Sequence, residues 1–97
     1  MRLTADQTRT IIDTTRSLLS DAAEIVLFGS RTDDAARGGD IDLLIETLTP
    51  VGIWRQAQLL AELEKRLDLP VDVVLHAAGE PDKPIHRIAR LTGIDLT

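Results

Sequence analysis

The chain has no cysteine and no tyrosine, and its only aromatics are Phe28 and Trp54. Lack of cysteine excludes a disulfide framework, a thiolate zinc site and a cysteine nucleophile. Two aromatics give no stacking platform for single-stranded nucleic acid. No apolar run approaches the roughly 20 residues that span a bilayer as a helix. The first ten residues lack the apolar segment of a secretory signal. The expectation is a cytoplasmic protein without a membrane segment. Basic residues are scarce too: 11 against 16 acids, a net charge of −5. That balance argues against non-specific nucleic-acid binding through the overall field. What is present is 97 residues, 43% hydrophobic and 28% charged. This composition and length suit one small domain, 1–97, around one core.

Helical and strand patterns alternate along the chain. Thr4 and Gln7 form a capping-box pair. Ile11, Thr15, Leu18 and Ala22, flanked by Ile12 and Leu19, then keep a helical period. A first helix is expected over roughly 5–20. Glu24 to Phe28 is a β-rich run stopped by Gly29, and Asp40 to Glu46 is a second such run. The polar stretch 31–39 between them reads as a loop. Thr49-Pro50 reads as a cap and first helical position. Ile53, Ala57, Leu60, Leu63 and Leu67 continue it as a helix over roughly 50–67. Pro70 to His76 is a third strand, and 77–83 is a Gly/Pro loop. Pro84 opens a last helix with Ile85, Ile88, Ala89 and Thr92 on one face and Gly93 as its stop. The order α-β-β-α-β-α predicts an α/β (α+β) fold, a small mixed sheet flanked by helices.

The chemistry concentrates in Gly29-Ser30-Arg31 and Gly39-Asp40-Ile41-Asp42. Side chains alternate along a strand, so Asp40 and Asp42 share a face while Ile41 points to the core. Adjacent carboxylates repel unless a cation sits between them. Mg²⁺ takes oxygen ligands, commonly one or two carboxylates plus substrate phosphates. A strand ending in Gly29-Ser30 presents backbone N–H groups and a hydroxyl to a phosphate. Asp72 is a carboxylate within the otherwise apolar run Val71–Leu75, where burial without a partner would be costly. On a strand beside the other two acids it completes a set for two metals in an in-line phosphoryl displacement.

Gly29-Ser30, nine intervening residues, Asp40-Ile41-Asp42 and a later-strand Asp72 resemble the minimal nucleotidyltransferases of the DNA polymerase β-like superfamily. The resemblance covers nearly the whole chain. It implies a polymerase β-like nucleotidyltransferase fold and Mg²⁺-dependent transfer of a nucleoside monophosphate from an NTP, ATP foremost, with release of pyrophosphate. It implies Asp40 and Asp42 on both metals, Asp72 completing one, and Gly29 and Ser30 on the triphosphate, with Arg31 beside them. It also implies an MntA-like antitoxin of a HEPN/MNT toxin–antitoxin pair, with a hydroxyl of a HEPN-domain toxin as acceptor. Two other readings stand beside it: a non-catalytic module that neutralises its partner by occlusion, and transfer to a small molecule such as an aminoglycoside. A homodimer or hetero-oligomer is compatible with a domain this small.

The remaining charged and polar residues have plainer readings. Arg37, like Arg31, is by default a loop charge. Lys83, Arg87 and Arg90 are read by default as a solvated face on the last helix, with a contact to triphosphate or to an acidic partner as the alternative. His76 and His86 lack metal-ligand spacing and are read as structural. Trp54 is read as core, with an exposed interface anchor as the alternative.

Overall fold

A computed structural model of the chain describes residues 3–29 and 41–97. Its elements are α1 (Ala5–Leu18), β1 (Ala22–Phe28), β2 (Ile41–Thr47), α2 (Ile53–Leu67), β3 (Val71–Ala77), α3 (Pro84–Thr92) and β4 (Ile94–Asp95). The sheet order is β3-β2-β1-β4. β1 runs antiparallel to both β2 and β4, whereas β2 and β3 run parallel across the α2 crossover. The mixed sheet and its helices match the fold expected from the sequence. β4, a two-residue strand paired to Val26 and Leu27, was not among the expected elements, because two residues carry no periodicity. No helix among the described residues is long and apolar enough to cross a membrane.

Alternation splits the strand residues between two layers. Ile25 and Leu27 of β1 and Ile41, Leu43 and Ile45 of β2 face Ile11, Leu19, Leu59, Leu63 and Leu67 from the α1 and α2 side. A bulge between Ala22 and Glu24 brings Ala22 into this same cluster. The opposite face holds Val26, Phe28 and Leu44 against Ala89 of α3, with Val74 beside them. The sheet therefore carries a thick core on one side and a thin one on the other.

The capping box forms as expected: the Gln7 N–H donates to Thr4 Oγ1 at 3.0 Å, and the Thr4 N–H donates to Gln7 Oε1 at 2.9 Å. Thr49 does not cap α2. The helix starts at Ile53 with Gly52 as its cap, while the Thr49 N–H and hydroxyl both donate to Asp21 Oδ2. Two bonds to a carboxylate outcompete one to a helix end, and they hold Asp21 below its ordinary carboxylate pKa, the hydroxyl bond first. Trp54 is not core; it is 86% exposed. At about 100° per residue it falls opposite the Leu59–Leu63–Leu67 stripe that α2 buries. Nor does α3 bury its isoleucines. His86 and Ala89 face the sheet, and Ile85 and Ile88 are exposed. Gly93 ends α3 as expected, though with extended φ of −89°. A Cβ there would strike the Ala89 carbonyl and Val26, so close approach to β1, not handedness, requires glycine.

Candidate functional site

The α3 face of the sheet is organised in three rows by strand register. Phe28, Asp42 and Asp72 form one row, Val26, Leu44 and Val74 the next, and Glu24, Glu46 and His76 the third. Asp42 and Asp72 are register partners on parallel neighbours, so both carboxylates rise from one face of strands about 4.8 Å apart. Asp42 is half-buried and Asp72 exposed. Both acids are the second residues of their strands, after Ile41 in β2 and Val71 in β3. Register across the α2 crossover brings together two acids thirty positions apart in sequence.

Gly29 lies next to this pair. It follows β1 with φ of +77°, a left-handed conformation that a side chain would oppose. A Cβ at Gly29 would collide with the Asp42 carboxylate. The carboxylate therefore lies directly over the Gly29 backbone, and no larger residue fits beneath it. The donors available here are hard carboxylate oxygens on adjacent strand starts, which suits Mg²⁺. Of the residues singled out in the sequence, Asp42, Asp72 and Gly29 converge. Asp40, Ser30, Arg31 and Arg37, with the 31–39 loop, lie outside the described residues.

The third row carries a different set of charges. Glu46 bonds His76 Nδ1 through Oε1 and accepts from Arg90 Nη1 at 2.8 Å through Oε2. Arg90 Nη2 also donates to Asp82 Oδ2 at 2.5 Å. His76 Nε2 lies 3.0 Å from the Glu80 carbonyl and 3.4 Å from Asp82 Oδ1. The His76 and His86 rings stand 4.2 Å apart between centroids. The hydrogen bond to Glu46 outweighs burial and raises the His76 pKa above its ordinary value. Burial, then the neighbouring His76, lowers that of His86. The Arg90 hydrogen bond holds Asp82 below the usual carboxylate range.

Sequence reasoning left Arg90 on a solvated face and the two histidines apart; the fold joins all three. Lys83 and Arg87 are exposed as expected. The only available signal was the placement of His76 two residues beyond Val74 and four beyond Asp72, on one strand face.

A family model described as a nucleotidyltransferase domain matches residues 8–93. No curated protein matches the chain. Several solved structures share its fold. A mutant of the toxin–antitoxin MntA–HpeT superimposes with a TM-score of 0.80 at 21% identity, covering 93% of this chain and 71% of that one. A toxin–antitoxin structure with AMP-PNP gives 0.80 at 23% identity over 93% and 72%. A tri-AMPylated Shewanella oneidensis HEPN toxin in complex with its MNT antitoxin gives 0.76 at 22% identity over 94% and 69%. The strand-start acids thus sit on a fold shared with chains of those toxin–antitoxin structures, and the family match spans nearly all of the sequence: the chain belongs to the nucleotidyltransferase domain family.

Proposed function

We propose that the chain transfers a nucleoside monophosphate, AMP from ATP, to a hydroxyl of a partner protein, and that it serves as the antitoxin of a HEPN/MNT toxin–antitoxin pair in the cytoplasm. The observation that carries the reading is the register of Asp42 against Asp72 beside Gly29. Two carboxylates in register at strand starts are explicable as a cation grip. The neighbours support the acceptor class, since one is an MNT antitoxin in complex with an AMPylated HEPN toxin.

Asp42 and Asp72, with Asp40, would hold two Mg²⁺, which when bound neutralise triphosphate charge and acidify the acceptor hydroxyl. The Gly29 backbone and Ser30, with Arg31, would seat the triphosphate beside them. The acceptor oxygen attacks the α-phosphorus, the bond to the pyrophosphate oxygen breaks, and pyrophosphate leaves. Asp72, the more exposed acid, would take the hydroxyl proton.

Intact-mass analysis of a HEPN-domain partner incubated with this chain, Mg²⁺ and each NTP in turn tests the reading. The expected result is a gain of one or more AMP groups, absent with Asp42→Asn. A stable complex with no mass gain under any NTP would overturn it in favour of occlusion. One observation favours occlusion as a second reading: Leu48, Ile53 and Trp54, near the start of α2, each expose a large apolar side chain.

A further inference from the structure

The cluster at the far end of the α3 face has its own chemistry. His76, Asp82 and His86 offer ligand atoms that all lie within 4.8 Å of one another, and both histidines are more than nine-tenths buried. Such a trio could hold a transition metal. The hydrogen bonds point to a proton instead. The Lys83 backbone N–H donates to His86 Nδ1 at 3.0 Å, and a backbone N–H can only donate. That lone pair is therefore taken, His86 is neutral, and its hydrogen is on Nε2. His76 has an acceptor at each nitrogen: the Glu46 carboxylate at Nδ1 and the Glu80 carbonyl at Nε2. Against an ionised Glu46 both nitrogens donate, the pattern of an imidazolium. Glu46 and Asp82 are then each answered within the chain, by His76 and Arg90.

We propose that this cluster is a proton-operated clasp that seats α3 and the 78–83 turn on the sheet, with one proton held on His76 and excluded from His86. The parts joined are β2 through Glu46, β3 through His76, the turn through Glu80 and Asp82, and α3 through His86 and Arg90. Glu24 of β1 faces the same cluster through Glu46 and Arg90, and Asp95 of β4 reaches it through Glu24. With ring centroids 4.2 Å apart, the two imidazoles cannot comfortably both be charged, and the acids select His76.

The clasp works within a window. His76, raised in the folded state, stabilises the fold below its unfolded pKa of about 6.5, and this contribution is lost as pH rises through its folded pKa. His86, lowered in the folded state, contributes stability above that same unfolded value, and this is lost as pH falls toward its folded pKa. The two limbs oppose, so stability peaks between them.

Long-range ¹⁵N–¹H NMR of the wild-type chain reads both rings directly. Near neutral pH, His76 should show two protonated ring nitrogens and His86 one, on Nε2. Thermal melts from about pH 5 to about pH 9 should fall off on both sides of a maximum. His76→Gln should flatten the alkaline fall, and His86→Asn, which retains an acceptor for the Lys83 N–H, the acid one. A neutral His76, or a charged His86 at neutral pH, overturns the proposal. So does a Zn²⁺ titration that shifts both rings and raises the melting temperature of wild type but not of His86→Asn.

Discussion

Two ends of one sheet face carry acids, and they treat them in opposite ways. At the Glu46 end the acids are answered from within the chain, by His76 and Arg90 reaching over from β3 and α3. At the Asp42 end, about 13 Å along the same strands, an acid is set in register against another acid. Between the ends lie Val26, Leu44 and Val74 under Ala89, an apolar strip that separates the two electrostatic systems. The comparison separates acids paired within the chain from acids set side by side. Where the fold needs acids for cohesion it supplies their counter-charges. At the strand starts, beside a left-handed glycine, it sets Asp42 and Asp72 in register instead.

The contrast breaks most sharply under substitution. Asp42→Asn should cut nucleotide transfer by at least about 10²–10³-fold, the scale of removing one preorganised electrostatic group, while a thermal melt still shows a folded chain. Leu43→Ala, fully buried on the α1/α2 side, should cost about 2–5 kcal/mol in denaturant unfolding. Gly29→Ala links the two readouts. The left-handed φ alone should cost about 1–2 kcal/mol, and the displaced Asp42 carboxylate should lower transfer further than that loss of stability explains. Arg90→Gln acts on the other end: about 1 kcal/mol of stability, and transfer measured well below the melting point little changed.

How far the sequence reached follows the same division. The placement of Asp42, Asp72 and Gly29 at strand ends was legible because it depends on local spacing: alternation along β2, a glycine closing β1, one acid in an apolar run. The helices were legible as elements from their period. Which face each one buries was less so. α2 buries Leu59, Leu63 and Leu67 and leaves Trp54 opposite, and hydrophobicity alone could not say that the largest side chain stands outside. α3 buries His86 because the sheet beneath it is charged at that end, a fact of tertiary pairing between residues on three elements. Thr49 was a cap by its type but met Asp21 first. Long-range pairing of this kind has no signature in the spacing of neighbours.

Thr15 sharpens the account at the smallest scale. It is fully buried in α1 and its Oγ1 has no hydrogen-bond partner. Thr15→Val should be neutral or stabilising by up to about 1 kcal/mol in denaturant unfolding, since it removes an unsatisfied polar atom.

The most direct measurement is Mn²⁺, standing in for Mg²⁺, titrated into the ¹⁵N-labelled chain with a non-hydrolysable ATP analogue while paramagnetic broadening is read residue by residue. Broadening should centre on Gly29, Asp42 and Asp72 and fade across the Leu44 strip, leaving Glu46 and His76 sharp. Broadening centred on His76 and His86, or none near Asp42, would contradict the division of the face.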